Sequence, residues 1–566
     1  MTSVSASGAS AKRGSTVHST WPNSVHENFY ERPARDTADL GAWCYTDRLS
    51  YLPGDLISIH ACTTTDRYDL IIYRDGEVRV EVLHEREMPG RFYQTPLDCS
   101  VSGCKWPVAK QLEVPRYWKS GGYILLIRAS GKDGTLIEHH FPFAVRAPRP
   151  SAPDAILLLN CTSTWVAYND WGGSNFYEGI LGETRDQATP VASTLRPFSR
   201  GFAWLPEGAP RIPLREPLKM GAALRYPHME WAYANGFSKK YASAGWATYE
   251  RHFLRWAESR GFTVDLATQH DLHRDPAILE GYRCVAIVGH DEYWSWQMRD
   301  AMDSYVEGGG CVARFAGNFT WQIRLEEEGT RQICYKHRAE ATDPVRNTAQ
   351  SHLLTAAWDD LAVSRPGTLT FGLKASSGIY AGWGGCVPRG SGGFTVYRPE
   401  HWAFEGTDLY YGDQLGANAK IFGYEVDGCD YTIRGGLPYA DGTDGAPKDM
   451  EIIAMGLATT FEADHGNTGS TFFIGAADAQ GVAYQRLRRT DPEAVDQVAR
   501  GAGMIVSLNR GKGSIFNAAS CEWVSGLIER DPFVERITHN VLARFASKTC
   551  GGHAAARTET LKTGRQ

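Results

Sequence analysis

The sequence predicts an α/β protein that carries an all-β domain on its N-terminal side. Two patterns indicate this. Short alternating strands separated by turn signals fill residues 40–145, and continuous apolar strands alternate with amphipathic helices from residue 155 onward. The chain has 566 residues, of which 42% are hydrophobic, so it can form two to four domains with separate cores.

The all-β part is predicted to be an immunoglobulin-like β-sandwich that spans residues 27–145. Alternating apolar and polar residues occur in five runs without a helical period, at 56–60, 70–73, 78–83, 121–128 and 139–145. A Pro-rich stretch at 146–154 is typical of an extended linker. The Ser-, Ala- and Gly-rich residues 1–26 and the last residues, 549–566, are predicted to be disordered tails.

The α/β part is predicted in two pieces, residues 155–329 and 451–548, which together form a doubly wound core. Residues 330–450 between them are rich in Gly and aromatic residues, which favours a β-rich or loop insertion. Buried strands are predicted at 156–160, 262–266, 284–289, 311–315, 471–475 and 513–518, and helices at 248–260, 296–307 and 533–546.

Composition excludes several classes of protein. A net charge of −6 gives no general attraction to nucleic acid or anionic membranes, and no apolar run is long enough for a membrane helix. Residues 1–13 lack the apolar segment of a signal peptide, so we expect a cytoplasmic protein without membrane association. The 12 cysteines contain no CxxC pair, and those in apolar strands, such as Cys284 and Cys311, are predicted to be buried thiols. Serine hydrolase, P-loop and zincin motifs do not occur.

Three segments that follow predicted strands are the first places to look for a site. Ligands of open α/β sheets bind beyond the carboxyl ends of the strands. Residues 161–173, 290–294 and 317–321 all lie in such positions and are rich in aromatic, amide and acidic side chains. We expect them to meet at one rim of the sheet.

The segment His290-Asp291-Glu292-Tyr293 is the strongest candidate for chemistry. Imidazole, carboxylate and phenolate groups suit iron, zinc or manganese, and they also carry protons. In the alternative interpretation, His290 and Asp291 cap a helix that begins near Trp294, and Tyr293 only packs.

Aromatic residues near the other strand ends permit two interpretations. Trp165, Tyr168, Asn169 and Trp171 either line a substrate pocket or pack between domains, and Trp321 is a further candidate for the pocket wall. His270 and His273 have the spacing of a metal pair, but capping or solvent exposure is favoured for this segment. Asp464-His465 has no identifiable partner in the sequence.

Five motifs together resemble the family of the large (beta) subunit of N,N-dimethylformamidase. They are TWVAYNDWGG at 164–173, GHDEYW at 289–294, GNFTWQIR with CYK at 317–324 and 334–336, GYEVDGC at 423–429, and the closing stretch at 515–523. The resemblance spans roughly residues 155–545. It implies a glutamine-amidotransferase-like core and hydrolysis of a small amide at a mononuclear iron, Fe³⁺, held by two tyrosinates and a glutamate.

The resemblance also implies ligand positions. Tyr293 matches the tyrosine of the family's His-x-Glu-Tyr motif, and Tyr249 matches the other tyrosine by its distance upstream. The third ligand is open, because no glutamate occurs near 352–358, where the family's His-x-Glu-x-Gly-Gly stretch would align. Either His352 or a remote carboxylate such as Glu425 completes the site, or no iron binds.

With a metal present, the ion would polarise the amide carbonyl, and His290 or Glu292 would carry protons. Asn169 and Asn318 are the candidate donors to the developing oxyanion. The predicted partner is a small amide substrate, with no nucleic acid or membrane; a small partner subunit or a homo-oligomer is possible. The alternative function is a non-catalytic scaffold whose aromatic cleft binds carbohydrate or protein.

Overall fold

The computed structural model describes residues 31–179, 189–212, 227–378, 392–459 and 476–547. The predicted tails, the strand at 471–475, the Asp464-His465 pair and the Gly-rich residues 382–385 lie outside these ranges. Within them the chain is a β-rich mixture of sheets and helices. No helix in the described part of the chain combines the length and apolar character needed to cross a bilayer.

The N-terminal strands form two sheets. Their bounds are β1 Ala42–Thr46, β2 Ser50–Tyr51, β3 Leu56–Thr63, β4 Arg67–Asp75, β5 Arg79–Pro89, β6 Val108–Glu113, β7 Gly121–Ser130 and β8 Leu136–Val145, with the short helix α1 at Cys99–Ser102. One sheet has the order β1-β3-β6 and the other the order β2-β8-β7-β4-β5. Pairing is antiparallel except between β2 and β8. Four of the five predicted runs fall within these strands, and the run at 78–83 begins one residue before β5.

The remaining strands build the core and a small accessory sheet. They are β9 Ile156–Asn160, β10 Val191–Ser193, β11 Val264–Thr268, β12 Cys284–His290, β13 Tyr293–Ser295, β14 Cys311–Gly317, β15 Trp321–Glu326, β16 Arg331–Ile333, β17 Phe394–Val396, β18 Gln414–Leu415, β19 Tyr431–Arg434, β20 Leu437–Ala440, β21 Glu451–Thr459, β22 Arg500–Arg510 and β23 Gly513–Asn517. The accessory sheet has the order β10-β16-β15-β13.

The helices of the same region range from single turns to 15 residues. They are α2 Thr162–Tyr168, α3 Pro227–Asn235, α4 Glu250–Ser259, α5 Gln269–Arg274, α6 Trp296–Gly308, α7 Ala339–Thr342, α8 Thr368–Phe371, α9 Ala375–Gly378, α10 Ala476–Leu487, α11 Pro492–Val498, α12 Trp523–Ile528 and α13 Pro532–Ala546. The helices predicted at 248–260, 296–307 and 533–546 are α4, α6 and α13. Helices α4, α12 and α13 pack as one group on the core strands, and α5 packs on α6.

The main sheet is parallel in one half and antiparallel in the other. The parallel half has the order β11-β9-β12-β14-β23, and the fully buried β12 and β14 pair from Cys284↔Cys311 to His290↔Gly317. Strands β22, β21, β17 and β18 continue the sheet in antiparallel pairing. Because parallel strands share a direction, the residues after β9, β12 and β14 reach the same edge.

Gly289 fixes the path of β12 just before His290. It has φ +84°, and a Cβ there would lie 2.4 Å from the Cβ of Tyr249. Gly289→Ala is therefore expected to lower the free energy of unfolding by about 2–3 kcal/mol, through strained backbone and a clash. The shift of the urea unfolding midpoint measures this effect.

Gly261→Ala is the matched control for this substitution. Gly261 has nearly the same φ, +85°, but a Cβ there would meet nothing within 4 Å. We expect Gly261→Ala to lower the free energy of unfolding by about 1 kcal/mol, from backbone strain alone. Equal losses from the two substitutions would contradict the close packing of Tyr249 on β12.

Candidate functional site

Side chains from six segments meet beyond the carboxyl ends of β12 and β14. They belong to Tyr168, Tyr177, His290, Glu292, Tyr293, Asn318, Trp321, Lys336 and Glu425, which we call the site cluster. Tyr177 and Lys336 are half-buried, and the other members are buried. Strands β12 and β14 supply the edge, and the loops after α2, β16 and β18 close around it.

His290 is held between a carbonyl and carboxylates. Its Nδ1 lies 2.7 Å from the carbonyl oxygen of Ser243, so this nitrogen donates and Nε2 faces the cluster. Nε2 lies 2.6 Å from Oε2 of Glu425 and 3.3 Å from Oε2 of Glu292. Burial by itself lowers the pKa of His290, but the Glu425 and Glu292 carboxylates outweigh it and raise that pKa well above its ordinary value. This raised pKa favours the protonated ring, and Nε2 then shares its proton with Glu425.

Glu292 is the centre of the hydrogen-bond network on the other side of His290. The phenol of Tyr177 donates to its two oxygens at 2.6 and 2.7 Å, and the indole of Trp321 donates at 2.8 Å. Burial raises the pKa of Glu292, but His290 and the nearby Lys336 ammonium outweigh burial and lower that pKa below its ordinary value. Glu292 is therefore a carboxylate.

Lys336 places a cation beside two phenols. Its Nζ donates to the Tyr293 oxygen at 3.1 Å and lies 3.4 Å from the centre of the Tyr177 ring. The Tyr293 phenol in turn donates to the Tyr177 oxygen at 2.7 Å. Burial lowers the pKa of Lys336 to about 8, although the Glu292 charge opposes this. An amine with this pKa can donate or accept a proton near neutral pH.

A fully buried ion network holds the backbone of Asn318 in place. Arg314 on β14 bonds Asp291 at 3.0 Å and Asp427 at 2.7 Å. Asp427 also accepts the backbone N–H of Asn318 at 2.7 Å, which holds Asn318 in the left-handed region at φ +66°. In that conformation the Asn318 amide donates to Glu425 Oε2 at 2.6 Å.

The structure brings seven of the twelve predicted site residues together in this cluster. They are His290, Glu292, Tyr293, Asn318, Tyr168, Trp321 and Glu425. The capping alternative for His290 and Asp291 is wrong, because Ser295 caps α6 and Asp291 bonds Arg314. For the His270 segment, capping is confirmed, since Asp271 completes a capping box with Thr268.

Three predicted residues near α2 lie outside the cluster. The amide of Asn169 donates to the Pro197 carbonyl and accepts from the backbone of Trp171 and Ser199, so it is not aimed at His290. The indole of Trp165 donates to Glu250 at 3.0 Å. Trp171 packs edge-on against Trp43 and Trp106, which matches the inter-domain alternative rather than a pocket wall.

Two predicted metal ligands also have other surroundings. The Tyr249 phenol donates to Glu522 at 3.3 Å, and its ring packs on Gly289. His352 is exposed and lies edge-on against Trp296, with ring centres 5.2 Å apart. Of the two residues considered for the third ligand, Glu425 therefore lies in the site cluster beside His290, and His352 does not.

Sequence reasoning assigned no role to Tyr177, Lys336 or Cys521. Lys336 belongs to the CYK motif, which was a usable signal. Cys521 lies within the closing stretch at 515–523, which was also a usable signal, whereas Tyr177 lies in an irregular segment without a motif and only the fold brings it to the strand ends.

Two sets of donor atoms in the site fit a metal ion. Glu292, Tyr177 and Tyr293 form a chain of oxygen atoms 2.6 to 2.7 Å apart, the all-oxygen chemistry that suits Fe³⁺. Donor atoms of His290, Glu425 and Cys521 lie within 4.8 Å of one another and offer nitrogen, oxygen and sulfur. The pair Tyr293 and Tyr249 fits less well, because their phenols bond different partners.

Comparisons with known proteins agree on one family. The family model described as N,N-dimethylformamidase beta subunit-like, C-terminal, matches residues 70–535. A protein of Paracoccus aminophilus named N,N-dimethylformamidase beta subunit is 22% identical over 480 residues, which cover 79% of this chain and 55% of that protein. A protein of the same name from Alcaligenes sp. is 25% identical over 251 residues, 41% of this chain and 29% of that protein. The chain thus matches about half, or less, of the length of these relatives.

Proposed function

Because the chain belongs to the N,N-dimethylformamidase beta subunit-like family, we propose that it hydrolyses a small amide in the site cluster. The observation that carries this proposal is the buried contact of His290 with Glu425 at 2.6 Å, beside Asn318 and Lys336. His290 and Glu425 can transfer a proton, and Asn318 and Lys336 can donate hydrogen bonds to a carbonyl oxygen. Hydrolysis of an uncharged amide needs both functions.

In the proposed reaction the Asn318 amide and the Lys336 ammonium stabilise the negative charge that develops on the carbonyl oxygen. Glu425 accepts a proton from the attacking water. The new C–O bond forms, the C–N bond breaks, and His290 returns a proton to the leaving nitrogen. The products are one carboxylic acid and one amine, and the proton count balances. Within the cluster, the Tyr168 and Trp321 rings lie beside His290 and Glu292 and would orient a small substrate that has few polar groups.

We further propose that Glu292, Tyr177 and Tyr293 are the residues that hold iron. Their oxygen atoms already contact one another. In this set Glu292 is the glutamate of the family pattern, and Tyr293 and Tyr177 are its two tyrosines. Tyr177 thus takes the place that the resemblance gave to Tyr249. A ferric ion held there would supply Lewis-acid activation of the amide. Glu425 and His290 remain available to move protons.

Several broader predictions also belong to this proposal. The five-stranded parallel half of the main sheet supports a glutamine-amidotransferase-like core, and the two N-terminal sheets, antiparallel except for the β2–β8 pair, support an immunoglobulin-like domain. The end of β8 at Val145 and the start of β9 at Ile156 support a domain boundary within the predicted linker, whereas the predicted limit at 329/330 separates the paired strands β15 and β16. The relatives are named as subunits, which supports a partner subunit for this chain.

Purified protein is expected to contain iron and to show a visible tyrosinate-to-iron absorption band, and to hydrolyse N,N-dimethylformamide or a related amide. Tyr177→Phe should remove most of the band, because the phenyl ring offers no oxygen ligand. Elemental analysis and absorption spectra measure both quantities.

Tyr249→Phe is the matched control for Tyr177→Phe. Its phenol bonds Glu522, so the band should persist in this variant. A metal-free protein that hydrolyses no amide, yet binds carbohydrate or protein, would contradict the proposal and support the scaffold function. If the band is lost in Tyr249→Phe but kept in Tyr177→Phe, Tyr249 rather than Tyr177 is the iron ligand, as the resemblance implies.

A further inference from the structure

A second set of donor atoms adjoins the oxygen atoms proposed to hold iron. Donor atoms of His290, Glu425 and Cys521 lie within 4.8 Å of one another, and all three residues are buried. They come from β12, from the loop after β18 and from the loop after β23. The position therefore depends on the fold of the sheet rather than on one flexible segment.

The backbone holds Cys521 in place. Its N–H donates to the carbonyl oxygen of Glu425 at 3.1 Å. A Cβ on Gly317 would lie 3.2 Å from the Cys521 sulfur, so the thiol packs against the end of β14. Two of the three donors are thus tied to each other through the main chain, and their spacing is fixed before any ion arrives.

His290 has the surroundings of a metal-binding histidine. Metal-ligating histidines usually donate their second nitrogen to a carbonyl or carboxylate, which orients the ring. The Ser243 carbonyl does this for Nδ1 at 2.7 Å and leaves Nε2 for the ion. Nε2 and Glu425 Oε2 are now 2.6 Å apart, and ligands around a tetrahedral Zn²⁺ are about 3.4 Å apart, so a small side-chain movement admits the ion.

The donor chemistry separates this set from the oxygen atoms proposed to hold iron. Thiolate, imidazole and carboxylate are together typical of Zn²⁺, whereas two phenolates and a carboxylate suit Fe³⁺. We propose that His290, Glu425 and Cys521 form a second site that binds Zn²⁺, and that zinc there inhibits amide hydrolysis. The inhibition rests on the proposed function, and the binding does not.

The exchange conserves charge. Zinc displaces two protons to solvent, the one that His290 shares with Glu425 and the one on the Cys521 thiol. The group holds an imidazolium, a carboxylate and a thiol before binding, and an imidazole, a carboxylate, a thiolate and Zn²⁺ afterwards. Its net charge is zero in both states, so binding adds no uncompensated charge to the buried site. It does remove the proton acceptor that hydrolysis needs.

Co²⁺ is the probe for this site, because a Co²⁺–thiolate bond has its own absorption band. Titration of the full chain with Co²⁺ is expected to give this band, and Zn²⁺ should displace it. Cys521→Ser should remove the band and weaken Zn²⁺ binding by about tenfold or more. Cys334→Ser is the matched control, since Cys334 is also buried but bonds the carbonyls of Gln322 and Thr355.

The results of these measurements test the zinc site, the proposed function and the inhibition separately. A Co²⁺ spectrum without a thiolate band, or unchanged Zn²⁺ affinity in a folded Cys521→Ser variant, overturns the site. Glu425→Gln is a second variant, expected to weaken Zn²⁺ binding, if Cys521→Ser does not fold. Tyr177→Phe should keep the cobalt band, which would establish that the two donor sets are distinct.

Zinc binding through Cys521 in a chain that hydrolyses no amide would support the site and overturn the proposed function. Undiminished hydrolysis at full zinc occupancy would overturn the inhibition.

Discussion

Replacing Glu425 by glutamine is expected to lower kcat for amide hydrolysis by about 10²- to 10⁴-fold. Glutamine keeps the size of the side chain, and its oxygen can still accept from the Asn318 amide, as Glu425 does at 2.6 Å. It cannot take up the proton that Glu425 shares with His290. The loss should therefore appear in kcat, with KM and iron content close to those of the wild type. Steady-state kinetics and elemental analysis measure these quantities.

His352→Gln is the matched control, because His352 was the other residue that sequence reasoning considered for completing the site. Its exposed ring lies on Trp296, so hydrolysis and iron content should not change. Loss of iron in Glu425→Gln would instead identify Glu425 as an iron ligand. An unchanged kcat in that variant would remove Glu425 from proton transfer.

Arg314→Met should lower the free energy of unfolding by about 3–5 kcal/mol. The guanidinium of Arg314 lies between the Asp291 and Asp427 carboxylates, and none of the three side chains is exposed. Methionine fills a similar volume but leaves two carboxylates without their cation, and burial already raises the pKa of both. The urea unfolding midpoint, compared at equal slope, measures the loss.

Arg500→Met is the surface control for Arg314→Met. Arg500 pairs with Asp496 at 3.1 Å, but the two side chains are 64% and 74% exposed. Such a pair contributes at most about 1 kcal/mol. Similar losses from both substitutions would show that the buried network does not stabilise the fold. We also expect Arg314→Met to reduce hydrolysis, because Asp427 positions the backbone of Asn318.

Local patterns predicted the elements that carry a clear period. The continuous apolar runs at β9, β12 and β14 and the apolar stripe of α4 each follow from burial of one short segment. The antiparallel half of the main sheet was not predicted. Strand β23 lies beside β14, some 200 residues earlier, and that pairing depends on contacts that no local window contains.

The site was predictable where it lies on those elements. His290 ends a buried strand, Glu292 and Asn318 follow such strands, and the rule for strand ends finds all three. Tyr177 was not predictable, because it reaches Glu292 from an irregular loop 115 positions earlier. For Trp171 the sequence position was found, but its environment could not be predicted. Its indole suits a pocket wall or a domain interface equally, and only the neighbouring Trp43 and Trp106 rings decide between them.

The contacts of Asp75 affect how the chain can be shortened. Asp75 ends β4, is fully buried, and accepts from the Trp246 indole at 2.8 Å and from Arg251 at 2.7 Å, so the N-terminal sheets and the core share one ion network. The family match begins at residue 70, inside β4, and ends at residue 535, inside α13. A recombinant fragment cut at those limits would lose β1 to β3, divide two elements and expose the aromatic contact around Trp171. Both limits of the family match therefore fall inside elements that pack on the rest of the fold, and expression should retain residues 31–547.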